Sequence, residues 1–179
     1  MLIHSYLSDK VRIRKSEINK KGIFAVKPIK KDEILSVYGG YIITRRQYKQ
    51  LAKNDFKHIG DYAIEVAEGF YLVSSKKGRL EDDDFFNHSC NPNAGIKGHL
   101  IMAAMRDIHP KEEITYDYAM TDAGIDYNFK CSCLSKDCRK VITGGDWQIK
   151  RLQRKYKGYI SWFVQEKVDS FRISRYRKV

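Results

Sequence analysis

The sequence predicts a mostly β fold carrying a small helical appendage at its C-terminal end. Two observations point there. Up to about residue 120 the apolar residues fall in short alternating runs separated by Gly, Pro and charged turn residues, the pattern of many short strands in small sheets. Apolar spacing of three and four residues is concentrated after the last cysteine, between residues 147 and 168.

In chain order, Val11-Arg12-Ile13-Arg14 alternates apolar with basic and reads as a strand. Gly22 to Val26 and Glu33 to Tyr38 read the same way, punctuated by Pro28 and the Lys30-Lys31-Asp32 run and closed by Gly39-Gly40. Thr44 reads as the N-cap of a short, exposed helix over residues 45–53. After Gly60, the runs Tyr62 to Val66 and Phe70 to Val73 flank Glu68-Gly69 as a hairpin. Ala94 to Ile96 and Leu100 to Met105 pair around Gly98, and Ile114 to Tyr118 is the last strand. Trp147 to Tyr156 and Ile160 to Val168 are expected as helices separated by Gly158, packed on the β domain, with the tail from Arg172 to Val179 fraying. Unpacked, that hairpin would expose Trp162 and Phe163, which a homodimer would cover.

At 179 residues the chain suits one core-bearing domain with an appendage. Its 42% hydrophobic and 31% charged residues match a soluble globular protein, and with no long apolar run a membrane span is not expected. The stretch Met1 to Tyr6 lacks the pattern of a signal peptide, so a cytoplasmic or nuclear, reducing compartment is expected, with secretion as an effector left open. The formal charge is +12, with basic residues crowding both ends. Such termini attract nucleic acid or other acidic surfaces; a solvated basic surface is the equal alternative. Glu81-Asp82-Asp83-Asp84 is a local acidic run within this basic chain.

The four cysteines are 90, 131, 133 and 138. Three of them are closely spaced thiols, and a structural zinc needs four soft ligands, so a fold that brings Cys90 to Cys131, Cys133 and Cys138 would complete one. Two disulfides or free core thiols are the alternatives, the first disfavoured in a reducing compartment.

Cys90 stands in the stretch Phe85-Phe86-Asn87-His88-Ser89-Cys90-Asn91-Pro92-Asn93, which follows Lys20-Lys21-Gly22 and Tyr38-Gly39-Gly40 and precedes Thr115-Tyr116-Asp117-Tyr118. In this order, with Cys131 to Arg139 after them, these motifs resemble the SET family of protein-lysine methyltransferases over roughly residues 10–142. The resemblance implies a β-clip-like SET fold at 10–120 with a threaded knot at the active site, a post-SET zinc segment at 127–142 and a helical extension at 146–179. It also implies S-adenosylmethionine-dependent methylation of a lysine on a histone or other basic, DNA-associated protein, with the acidic run at 81–84, just before the active-site stretch, helping to receive a lysine-rich segment. Tyr118 is the expected catalytic residue. Tyr116, expected beside it, implies a bias to monomethylation, and Tyr38 shares the lysine channel. Lys20, Lys21, Gly22, Tyr62, Asn87 and His88 are the implied cofactor contacts, and Cys90 with Cys131, Cys133 and Cys138 the implied ligands of one zinc.

Two departures stand out: Lys20 replaces a usual glycine, a change expected to be tolerated at negative φ, and Asp84 replaces a frequent arginine. Each site residue also has a packing role open to it, Tyr38 and Tyr62 above all among 12 tyrosines. A catalytically weak SET-like module that binds nucleic acid or chromatin is the competing expectation.

Overall fold

The computed structural model describes residues 4–51, 53, 62–74, 80–124 and 128–176. Among them the fold is mostly β, built of several small sheets with a C-terminal helix. Strands β1 (Tyr6–Leu7), β4 (Ile34–Val37), β10 (Ile101–Ala104) and β9 (Ala94–Lys97) pair antiparallel in that order. A second sheet runs β2 (Val11–Lys15), β3 (Lys21–Ala25), β11 (Glu113–Tyr116), β8 (Asn87–His88), and its last pairing is parallel. A third holds β5 (Tyr41–Thr44), β7 (Phe70–Val73) and β6 (Ile64–Ala67). The fourth is the antiparallel pair β12 (Asn128–Lys130) and β13 (Val141–Thr143), one strand on each side of the cysteine cluster.

β10 shows why strict alternation is not general here: Met102, Ala103 and Ala104 are all buried, because the strand is covered on both faces. One core joins Val11, Ile23, Leu35, Ile96, Met102 and Ile114 to Leu152, Tyr156, Phe163 and Val164 of the C-terminal segment. That segment is therefore integrated with the β sheets. Its main chain extends the contact, since Ile96 N–H donates to Tyr159 O (3.1 Å) and Trp162 N–H to Gly98 O (2.9 Å).

Three element boundaries differ from the sequence reading. The expected helix from Trp147 to Tyr156 divides into a 3-10 turn (Asp146–Gln148) and α2 (Lys150–Lys155), because Ile149 takes extended backbone angles (φ −70°, ψ 107°) between them. The next helix, α3, is longer than expected, spanning Trp162–Tyr176. Phe163 is buried in the core while Trp162 stays 61% exposed against the His99 ring, so packing on the domain covers one aromatic of the pair. The tail expected to fray from Arg172 continues this helix as far as Tyr176, and 177–179 lie outside the described residues.

The last strand, β11, stops at Tyr116 rather than Tyr118. Asp117 accepts a bond from Ala119 N–H (3.1 Å) and so caps a 3-10 turn, Tyr118–Met120, which carries Tyr118 off the sheet edge. Helix α1 (Arg45–Leu51) is short and exposed as expected, and Thr44 with Gln47 forms a reciprocal cap at its start.

Candidate active site

Because β8 runs parallel to β11, Asn87 lies beside Thr115 and His88 beside Tyr116. Ser89 N–H continues that ladder to Tyr116 O (3.0 Å). Asn93 then acts as a piece of strand made from a side chain: its Nδ2 donates to Glu113 O (2.8 Å) and its Oδ1 accepts from Thr115 N–H (2.9 Å). The segment 87–93 is thus pinned along β11 from both ends.

Asn87 is the hub on the other side. Its Nδ2 donates to Lys21 O (2.8 Å) and Glu113 Oε1 (2.7 Å), and Ser16 Oγ donates to both Glu113 oxygens (2.8 and 2.9 Å). Gly22 is required by this hub, since a Cβ there would sit 2.2 Å from Glu113 Oε1 and 2.8 Å from Asn87 Nδ2.

A cavity of about 500 Å³ opens beside the pinned segment, within the range of a small-molecule site. Tyr38, Tyr62, Asn87, His88, Tyr116 and Tyr118 all line it, so six of the residues singled out from the sequence converge there. Lys20, Lys21 and Gly22 are not among the lining residues; Ile18 and Asn19, just before them, are. Tyr116 and Tyr118 approach to 4.9 Å between ring centroids, and the Tyr118 hydroxyl donates to Phe86 O (3.3 Å). Burial raises the phenols of Tyr38, Tyr116 and Tyr118 far above their ordinary value, so all three stay protonated at neutral pH. They can orient a nitrogen but cannot take its proton.

Lys20 has a φ of +42°, the left-handed region, where negative φ was expected. The loop keeps the conformation that suits glycine although the residue is lysine, at a cost of roughly 1 to 2 kcal/mol. Ser16 N–H donating to Lys20 O (3.2 Å) holds the turn there.

Behind the cavity, the four cysteine sulfurs lie within 4.8 Å of one another, with Cys90 and Cys131 3.9 Å apart. A tetrahedral zinc with bonds of about 2.3 Å needs sulfurs about 3.8 Å apart. Backbone N–H groups aim at three of them: Arg139 at Cys90 (3.3 Å), Cys90 at Cys133 (3.5 Å) and Lys140 at Cys138 (3.4 Å). Donors converging on sulfur favour thiolates, and such a set of thiolates is stable together only around a cation. The residues fit a zinc ion, and the spacing is far too long for disulfides.

His88 joins the two halves of the site. It is buried, and burial pushes it down to about 4, leaving it neutral. Tyr118 N–H donates to its Nδ1 (3.2 Å), so the ring proton sits on Nε2, 3.5 Å from Cys90 Sγ.

Next to His88 lies an ion cluster that sequence reading missed. Asp117, 0% exposed, accepts from Arg139 Nη1 and Nη2 (2.6 and 2.8 Å) and from the Tyr156 hydroxyl (2.8 Å). Arg139 Nε also donates to Asp146 (2.9 Å). Burial opposes the Asp117 charge, but the Arg139 fork outweighs it and holds the carboxyl below its usual range. The cluster ties the last strand, the cysteine segment and the C-terminal helices into one body.

The acidic run lies at the cavity, and part of it is buried. It forms a 3-10 turn (Asp82–Phe85) in which Asp83 is 1% exposed, and Asp83 and Asp84 both line the cavity. The run's place beside the site was legible in the sequence; the burial of Asp83 and the role of Glu113 were not.

Comparison with known proteins agrees with this arrangement. The family model described as the SET domain matches residues 20–119. The chain is 32% identical over 142 residues to histone-lysine N-methyltransferase trithorax of Drosophila virilis, covering 75% of this chain and 4% of that protein. It is 35% identical over 136 residues to the H3 lysine-4 specific histone-lysine N-methyltransferase of Schizosaccharomyces pombe, covering 71% and 14%. With histone-lysine N-methyltransferase ASHR3 of Arabidopsis thaliana it shares 31% identity over 143 residues, covering 74% and 28%. The chain thus spans between 4% and 28% of the length of these relatives.

Proposed function

This chain belongs to the SET-domain family, and from that membership we propose that it is a protein-lysine methyltransferase using S-adenosylmethionine. The observation that carries the reading is the convergence of Tyr38, Tyr116 and Tyr118 with Asn87 and His88 on one cavity. The names of its relatives describe histone-lysine methyltransferases, which supports a histone or another basic, DNA-associated protein as substrate and a nuclear site of action. The basic termini would serve nucleic acid bound to such a substrate. The SET domain is assigned to 10–120, the zinc segment to 127–142 and the helical extension to 146–179.

The cofactor supplies an activated methyl group on a sulfonium. Lys20, Lys21, Gly22, Tyr62, Asn87 and His88 are assigned to hold it. The fit rests on the cavity's volume and on the backbone at 18–22, which Asn87 and Glu113 fix from behind. The tyrosine rings give an apolar tube for the lysine stem, and aligning two reactants in such a tube lowers a barrier by roughly 7 to 11 kcal/mol. Tyr118, held by its hydroxyl at Phe86 O and by its N–H at His88, is the catalytic residue that borders the methyl path. Tyr116 places a second hydroxyl in the tube, which takes up room that a methylated amine would need and favours a single methyl.

One zinc would be held by Cys90, Cys131, Cys133 and Cys138, and its role is structural: it closes the segment bearing Phe129 and Ser132 over the cavity. Calorimetric titration with S-adenosylmethionine, with zinc content measured on the same sample, tests the reading. Saturable binding with about one zinc per chain is expected. Zinc without cofactor binding would instead support the SET-shaped binding module.

A further inference from the structure

We propose that Asp83, seconded by Asp84, is the receptor for the substrate's ammonium group in the tyrosine-lined cavity and the base that takes its proton. The inference rests on the lysine-methyltransferase reading and deepens it. A protonated lysine has no lone pair to attack a methyl group, so the site must both bind the cation and remove one proton. The three cavity phenols are protonated, and both nitrogens of His88 are already directed, Nδ1 to Tyr118 N–H and Nε2 to Cys90.

Asp83 has the required features. It lines the cavity with Tyr38 and Tyr116, yet is 1% exposed. Ser36 Oγ donates to its Oδ2 (3.0 Å) and the Ser5 hydroxyl also favours its charged form, but its Oδ1 makes no full hydrogen bond among the described residues. A buried carboxylate oxygen left bare beside an apolar tube is costly unless a cationic donor arrives. The neighbouring Asp84 lines the same cavity and is anchored by Glu81 N–H (2.8 Å), which fixes a second carboxyl beside the first. Among the described residues the cation lining this cavity is Lys130; the other charged groups around this turn are Glu81 with His4 at its outer side and Lys21, whose ammonium sits over the Phe85 ring. Asp122 also lines the cavity, half-buried and with interactions of its own.

The step balances. The bound ammonium gives one proton to Asp83 Oδ1, leaving a neutral amine and a neutral carboxyl. The amine lone pair then forms the nitrogen–carbon bond to the methyl of the sulfonium donor as the carbon–sulfur bond breaks, its electron pair remaining on sulfur. The product methylammonium keeps the two other hydrogens, and Asp83 returns its proton to solvent as product leaves. Burial pushes Asp83 up to about 7 and Asp84 up to about 6, close to the pH at which such a base works best.

Two readouts on the full zinc-loaded chain test this. First, the pH dependence of methyl transfer is compared between wild type, Asp83→Asn and Asp122→Asn; Asn at 83 can keep the Ser36 bond. The wild-type rate is expected to rise through about pH 7, and Asp83→Asn to lose that limb and fall on the order of 100-fold or more at neutral pH. Second, n-butylammonium, the lysine side chain without its backbone, is titrated into wild type while the Asp83 carboxyl carbon is followed by NMR. Binding that lowers the Asp83 titration midpoint, and that weakens about tenfold or more in Asp83→Asn, supports the receptor. An unchanged limb in Asp83→Asn, the limb moving in Asp122→Asn instead, or butylammonium leaving the Asp83 carboxyl unperturbed would each overturn it. Should wild type transfer no methyl at all, the butylammonium titration still decides the receptor, and only the methyl-transfer reading falls.

Discussion

The main-chain N–H of Tyr118 donates to Nδ1 of His88 at 3.2 Å. That bond fixes which nitrogen of a buried, neutral ring carries the proton, and the other nitrogen faces Cys90 Sγ at 3.5 Å. The position of the central tyrosine is therefore linked, through one imidazole, to the cysteine cluster. With zinc held by the cysteine cluster as proposed, chelation should lower the melting temperature and make all four thiols reactive toward a thiol reagent. His88→Ala should leave the zinc content of the chain unchanged yet lose about 1 to 3 kcal/mol in denaturant unfolding, the cost of leaving the part-buried Tyr118 N–H without an acceptor. A His88→Ala variant as stable as wild type would break this link.

Among the described residues, Arg139 is the ionic partner of Asp117 apart from the more distant His88 (3.7 Å). Arg139→Leu should destabilise the chain by about 3 to 5 kcal/mol at neutral pH, since it strands a fully buried carboxylate. The sign of the pH dependence follows from the lowered Asp117 carboxyl. In wild type its contribution is present above the unfolded value of 3.8 and is lost only as pH falls through the lower folded value. In Arg139→Leu that carboxyl should titrate higher, so acid unfolding profiles of the two should differ in shape as well as midpoint.

Asp83 behaves in the opposite sense. Its folded value, about 7, lies above the unfolded 3.8, so its contribution to stability is full below about 3.8 and is lost as pH rises through 7. Asp83→Asn should therefore stabilise the chain at pH 8, by at most about 4 kcal/mol, and change little near pH 4. Melting curves at the two pH values check this without any substrate.

Lys20→Gly should stabilise the chain by about 1 kcal/mol, because glycine takes a φ of +42° without the steric penalty of a Cβ. Gly22→Ala should do the reverse, forcing Glu113 and Asn87 apart where Ser16 holds them. Denaturant midpoints of the two variants should move in opposite directions.

Much of this was legible in the sequence because the signals were local. The β9–β10 turn at Gly98 and the β6–β7 turn at Gly69 both use positive φ, as their glycines suggested. The four thiols meet as their spacing and number implied. What stayed hidden depends on pairing across distance. Asn87–His88 is too short to read as a strand and becomes one only against β11. β12 and β13 are three residues each and exist because the cysteines between them draw the chain together. The burial of Asp83 and the Asp117–Arg139 pairing were not legible, since nothing in a single sequence tells a solvated carboxylate from one turned inward. Tyr118 was assigned to the strand that precedes it, since the Asp117 cap that bends the chain away is a side-chain contact.

The most direct test is mass spectrometry of histones, or of a lysine-bearing peptide from them, after incubation with S-adenosylmethionine and either wild type or Tyr118→Phe. Wild type should add a single methyl to lysine, Tyr116→Phe run alongside should add more than one, and Tyr118→Phe should add none while melting within a few degrees of wild type. Equal methylation by wild type and Tyr118→Phe, or no methylation by a wild type that demonstrably binds the cofactor and these substrates, would contradict the assignment of the cavity as a lysine-methylating site.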